Sequence, residues 1–195
     1  RLHVFVARSA VQRICNMEQT HFTGKIWVLS GLDGQLIEDI DTDQIYHNAF
    51  LHITELATMG KYAFGNLEGW KDFPENARPG DMIIAGRNFG AGSSRQQAVD
   101  CFLALQISLI IAPSFGAIYF RNAVNSGFPV LKSHAIDGLV SKGNLETGDR
   151  ISVDVLSGEC TNVTKDLSFG VLPMSKVQHD VFQAGGLFRY GKEWR

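Results

Sequence analysis

Three apolar stretches of strand length punctuate the middle of the chain: Met82-Ile83-Ile84-Ala85, Ile107-Ser108-Leu109-Ile110-Ile111-Ala112 and Phe128-Pro129-Val130-Leu131. Their apolar residues run nearly unbroken, as expected of strands covered on both faces. Between them lie two helix-forming runs, Gln96 to Leu105 and Phe115 to Asn125, the second closed by Gly127. The alternation predicts a parallel β-α-β-α-β unit over 82–131, with ligand-binding loops at the C-terminal ends of its strands. Upstream, Lys25-Ile26-Trp27-Val28-Leu29 reads as a further strand, followed by a turn at Gly31 to Gly34. Downstream the period changes. Ile151-Ser152-Val153-Asp154-Val155 alternates apolar and polar, as a half-buried strand does. A turn at Ser157-Gly158, a returning strand Cys160 to Val163 and a helix from Pro173 to Ala184 complete the reading.

Two stretches fit neither period. Residues 60–80 are rich in Gly, Asn, Pro and aromatics, including Tyr62, Phe64, Trp70 and Phe73. The aromatics of so long a loop are expected to pack on something, such as a partner chain. Asp39-Ile40-Asp41-Thr42-Asp43-Gln44-Ile45 brackets three carboxylates with apolar residues. It reads either as a helix cap or as an acid that orients a neighbour or takes up a proton. Sharing one pocket would raise the pKa of at least one carboxylate.

The candidate chemistry sits just after the first apolar stretch, in Phe89-Gly90-Ala91-Gly92-Ser93-Ser94-Arg95-Gln96. The glycines permit a tight turn, Ser93 or Ser94 can cap the following helix, and hydroxyls beside a guanidinium suit a carboxylate or phosphate. No Gly-Lys-Ser/Thr follows at P-loop spacing, and Gly-x-Ser-x-Gly is absent. The spacing therefore supports an anion-binding turn without naming a reaction.

Bulk properties narrow the classes. The 195 residues are 45% apolar, enough for one cored domain, and the net charge of -2 argues against nucleic-acid or membrane-surface binding. No apolar run approaches the roughly 20 residues of a membrane span. Cys15, Cys101 and Cys160 lack metal or redox spacing, and their odd number fits a reducing compartment, so a cytoplasmic location is expected. Arg1, Arg8 and Arg13 precede the first acid, Glu18, so residues 1–16 are set aside as a transit-like remnant, a tag or residues upstream of a start at Met17, leaving 17–195 as a single domain. Asn162-Val163-Thr164 matches a glycosylation acceptor but is discounted, because nothing else suggests secretion.

Four segments together carry a family resemblance: Asp41-Thr42-Asp43-Gln44-Ile45; Gly86 to Arg95; Ile111-Ala112-Pro113-Ser114-Phe115 with Tyr119-Phe120-Arg121-Asn122; and Gly185-Gly186-Leu187. In order and spacing the chain resembles the small subunits of 3-isopropylmalate dehydratase, homoaconitase and dimethylmalate dehydratase, which correspond to the swivelling C-terminal domain of aconitase. The resemblance implies an α/β fold of the β/β/α swivelling type. It implies a hydro-lyase subunit, with the isopropylmalate isomerisation of leucine biosynthesis the leading reaction. The subunit would work only with a large subunit that carries a [4Fe-4S] cluster, with no metal on this chain. Ser93 would be the base, Asp43 would orient groups in the site, and Ser94, Arg95 and Thr42 would hold substrate. His52 falls where homoaconitase-like relatives are expected to place an Arg, which favours a substrate with an apolar group over one with an extra carboxylate. Ala91 and Gln96 stand where the family usually has Cys and Glu. Losing the acid at 96 is expected either to leave Arg95 freer for substrate or to mark a subfamily with a different substrate, while Arg121 and Asn122 are expected to fix the fold or an interface. A non-catalytic anion-binding module using the same turn is the alternative of another class.

Overall fold

The computed structural model describes residues 19–192. The expectation for residues 1–16, and with it Cys15, lies outside them. Seven strands form one sheet in the order β4-β3-β2-β1-β5-β6-β7. β1 (His21–Val28) runs parallel to β2 (Met82–Ile84), which continues in parallel register through β3 (Leu109–Ala112) to β4 (Val130–Lys132). On its other edge β1 pairs antiparallel with β5 (Arg150–Asp154), and β6 (Glu159–Asn162) and β7 (Leu167–Gly170) continue the meander. In chain order the helices are α1 (Thr42–Ile45), α2 (Leu56–Met59), α3 (Phe73–Asn76), α4 (Gln97–Ala104), α5 (Ala117–Asn125), α6 (Ile136–Ser141), α7 (Lys176–Gln183) and α8 (Leu187–Tyr190).

The parallel half is as its apolar runs predict. Ile83, Ile110 and Val130 face one layer, and Met82, Ile84, Leu109, Ile111 and Leu131 face the other, so the two-residue period buries both faces. The first layer holds Val99 and Phe102 of α4 with Tyr119 and Ala123 of α5. The second holds Ile151, Val153 and Cys160 of the antiparallel meander, with Phe182 of α7 packed against it.

The aromatics of residues 60–80 pack into this chain's own core. Phe64 and Phe73 are buried, edge-on to each other at 5.1 Å, and Trp27 of β1 meets Phe73 and Trp70 edge-on at 5.5 and 6.5 Å. Strand β7 and helix α6 are not among the elements the sequence predicts; β7 has the burial of an edge strand, with no fully buried residue to mark it. Asn162 is fully buried, donating to Asn144 O at 2.9 Å and Asp149 Oδ2 at 2.8 Å, a structural role that leaves no exposed glycosylation acceptor there. No helix among the described residues is long and apolar enough to cross a membrane.

Candidate active site

Loops leaving the C-terminal ends of β1, β2 and β3 converge on the glycine turn. The segment after β1 lies alongside it: Gly90 N–H donates to Ile40 O at 2.8 Å, and Thr42 N–H donates to Ala91 O at 2.9 Å. The β3–α5 loop holds the other side, with Phe89 N–H donating to Ser114 O and Gly116 N–H donating to Phe89 O. Gly90 has φ +77°, and a Cβ there would fall on the Tyr119 ring. The turn is thus pinned between two loops and accepts only glycine at its closest approach. Ala91 contributes backbone bonds to this arrangement, consistent with a small residue sufficing.

Beyond the turn, Gly92, Ser93 and Ser94 are exposed. Neither serine caps a helix: α4 begins at Gln97, and its N-terminal neighbour Gln96 already has helical backbone angles and makes no side-chain cap bond. Ser93 Oγ instead lies 3.4 Å from Thr42 Oγ1, which also donates to Ser93 O at 3.1 Å. Thr42 is buried, which fixes its hydroxyl under Ser93. Ser94 Oγ accepts from Asn122 Nδ2 of α5 at 3.3 Å, which ties the turn to α5.

The three neighbouring carboxylates do not share a pocket. Asp41 caps α1, accepting from Asp43 N and Gln44 N at 2.8 Å each, while Gln44 returns a bond to the Asp41 backbone. Asp39 accepts from Asn88 Nδ2 at 2.7 Å. Asp43 is the acid of the site. Its Oδ1 accepts from Arg95 Nη1 and from Asn48 N–H at 3.1 Å, and its Oδ2 accepts from Asn66 Nδ2 at 3.0 Å. The Arg95 hydrogen bond holds the Asp43 carboxyl below the usual range, against a smaller opposing effect of burial. Asp43 is therefore an ionised acceptor, not the raised-pKa acid that a shared pocket would produce.

Arg95 Nη1 also donates to Tyr46 O at 3.1 Å, so both protons of that nitrogen are committed. The three remaining N–H groups, on Nε and Nη2, have no protein acceptor among the described residues and form one edge of the guanidinium fork. The Gln96 side chain makes no hydrogen bond to that of Arg95. Its Nε2 donates to Asp100 Oδ1 at 2.9 Å and Ser126 Oγ at 2.8 Å, tying α4 to the end of α5. The side chain at 96 is thus engaged in helix packing.

His52 is exposed on the turn after a short 3-10 helix (Asn48–Phe50), with no hydrogen bond or ion pair among the described residues. The same loop presents Phe50, stacked on Tyr62 at 4.1 Å and edge-on to Tyr46 at 6.5 Å. The structure thus brings Thr42, Asp43, Ser93, Ser94 and Arg95 together and leaves His52 on an adjoining aromatic loop. Sequence reasoning passed over His47 and Asn66, both beside Asp43. His47 is four residues after Asp43 and could have been suspected from helical spacing. Nothing local marked Asn66.

Among the described residues, no group of three His, Cys, Asp or Glu side chains is placed to hold a metal ion. Cys101 and Cys160 lie in different core layers. Burial raises both thiols, Cys160 to about 12, which disfavours the thiolate a metal requires.

A family model, the aconitase C-terminal domain, matches residues 29–134. The chain is 34% identical to the 3-isopropylmalate dehydratase small subunit of Caldicellulosiruptor saccharolyticus, over 85% of this chain and 91% of that one. It is 38% identical to the small subunit of Caldanaerobacter subterraneus, over 80% and 92%. Its fold matches the crystal structure of 3-isopropylmalate dehydratase (leuD) from Methanocaldococcus jannaschii with a TM-score of 0.77 at 27% identity, covering 89% of this chain and 95% of that one.

Proposed function

The chain belongs to the aconitase C-terminal domain family, among the small subunits of 3-isopropylmalate dehydratase, a two-subunit hydro-lyase, and from that membership we propose that Ser93 is its catalytic base and Arg95 its carboxylate clamp. The substrate is a malate-type acid with an apolar substituent, 3-isopropylmalate in the leading reading. A [4Fe-4S] cluster, when bound on the large subunit, supplies a Lewis acid for the departing hydroxyl. The described residues offer no competing ligand set, and this chain's own residues do the rest.

The arrangement around Arg95 carries the reading. Asp43 and Tyr46 O take both Nη1 protons, which holds the guanidinium in place and leaves the Nε and Nη2 protons to meet a carboxylate side-on through two parallel bonds. Ser93 stands exposed two residues before Arg95 and, with its own hydroxyl proton released to solvent, takes the proton alpha to the bound carboxylate as the alkoxide. A serine alkoxide needs stabilisation, and Thr42 is placed to give it. Its single hydroxyl proton serves Ser93 O at rest and lies within a small rotation of Ser93 Oγ. Once Ser93 Oγ carries negative charge, a charge-assisted bond favours that second position. Ser94, steadied by Asn122, lends a second hydroxyl to the substrate carboxylate. The Phe50–Tyr62 stack next to His52 supports an apolar substituent, since an imidazole there grips an extra carboxylate less well than a guanidinium.

The test is co-expression with a large subunit, anaerobic cluster reconstitution and an absorbance assay for the unsaturated intermediate. Ser93→Ala should lower kcat about 10²- to 10⁴-fold, the range for loss of a positioned base, and leave KM and folding nearly unchanged. Full turnover in that variant would remove Ser93 from the chemistry. A chain acting only as an anion-binding module would have no turnover to lose. His52→Arg should shift preference toward acids with a second distal carboxylate.

A further inference from the structure

We propose that His47 is a positioning residue that acts on substrate binding through Asp43, a role that rests on the reading of Arg95 as the carboxylate clamp. The His47 ring lies at the start of the 3-10 helix Asn48–Phe50, and its Nδ1 accepts the Ala49 N–H at 3.1 Å. A nitrogen that accepts from a backbone N–H carries no proton of its own. The ring proton of neutral His47 is therefore on Nε2, and Nε2 faces Asp43 Oδ2 at 4.0 Å. The ring edge rests on Phe50 at 6.2 Å, which fixes its plane.

Asp43 consequently has donors on both sides. Arg95 Nη1 and Asn48 N–H hold Oδ1; Asn66 Nδ2 holds Oδ2, and His47 stands beyond it. A carboxylate bonded through one oxygen swings about its Cβ–Cγ bond. One engaged through both keeps Oδ1 aimed at Arg95 and so keeps the Nε–Nη2 edge aimed at the substrate. Asp43 and His47 are each about one-third exposed, so the substrate's own negative charge arrives close enough to compete for the Arg95 guanidinium. Asn66 bonds Oδ2, and the His47 Nε2–H group, its nitrogen 4.0 Å away, adds an electrostatic contact to the same oxygen that helps keep Asp43 in register during that competition. His47 also stands at the root of the loop that carries Phe50, Leu51 and His52, so the clamp and the loop beside it share one support.

Two variants separate this role from simple capping of the 3-10 helix. Serine is a good cap but too short to reach Asp43, whereas glutamine keeps an N–H within reach. In the reconstituted two-subunit enzyme, His47→Ser should raise KM about 2- to 5-fold, the loss expected for a partly exposed electrostatic contact, with kcat changed less than about 2-fold. His47→Gln should recover most of that loss. A silent His47→Ser variant would reduce His47 to a cap and overturn the proposal. Arg95→Lys belongs in the same assay. If it leaves KM unmoved, the clamp itself fails; if it raises KM while His47→Ser does not, only the role of His47 fails. A second readout needs no activity. Long-range ¹H–¹⁵N spectra of the chain alone should place the neutral ring proton of His47 on Nε2, with resonances that move in Asp43→Asn while those of His52 stay. A proton on Nδ1, or His47 resonances indifferent to Asp43→Asn, would also overturn it.

Discussion

Gly90→Ala should destabilise the chain by a margin that can be divided between two causes. Gly90 has φ +77°, where a residue with a Cβ costs about 1–2 kcal/mol. The added Cβ would also lie 2.5 Å from Tyr119 Cβ and 2.6 Å from Cδ2, with Cγ nearer still. Tyr119 has nowhere to go. It is buried, edge-on to Phe89 at 5.3 Å and stacked with Phe115 at 6.4 Å, so relief requires moving the aromatic layer or the turn. Overpacking of this kind costs about 1–3 kcal/mol, giving a total of about 2–5 kcal/mol and a fall in Tm of about 5–15 °C for a chain of this size. Gly92→Ala is the internal control. Its φ is +89°, but a Cβ there meets nothing nearer than 3.8 Å, so it should show only the backbone cost. Parallel thermal melts by circular dichroism measure both, and urea titrations give the free energies. Equal losses in the two variants would refute the claim that the Tyr119 ring sets the shape of the turn. In the two-subunit enzyme Gly90→Ala should also lower kcat, because Ser93 is carried by the displaced backbone.

Other expectations concern titration and reactivity. Asp43 has its folded pKa lowered below 3.8, chiefly by the Arg95 hydrogen bond, so its contribution to stability is present above the unfolded pKa and lost as pH falls through the folded value. The Tm difference between wild type and Asp43→Asn should therefore be steady near neutrality and shrink below about pH 4; a constant difference down to acid pH would contradict the ion pair. Cys101 and Cys160 are buried with raised thiol pKa values, that of Cys160 about 12. Peptide mapping after iodoacetamide at about pH 8 should find both unmodified in the native chain and modified once it is unfolded; rapid native labelling at either would show that its core layer opens.

Much of this was legible along the chain, for reasons that differ from segment to segment. The β-α-β-α-β unit was legible because a strand buried on both faces needs an unbroken apolar run, and 82–85 and 107–112 supply one each. The glycine turn was legible because a backbone threaded between two loops needs residues without side chains, and Gly90 declares that requirement in one letter. Composition and motif together placed Ser93 and Arg95 on that turn. What tertiary structure decided was which partner each polar group takes. Asp39, Asp41 and Asp43 are alike in sequence, yet one meets Asn88, one caps α1 and one holds Arg95, fifty-two residues away. The serines were free to cap α4 until the backbone carried them over Thr42, and the aromatics of 60–80 found this chain's own core. Hydrophobic period is a local property set by burial of neighbouring residues. Hydrogen-bond partners depend on which loops the sheet brings to its C-terminal edge, and strand order, not spacing, sets that.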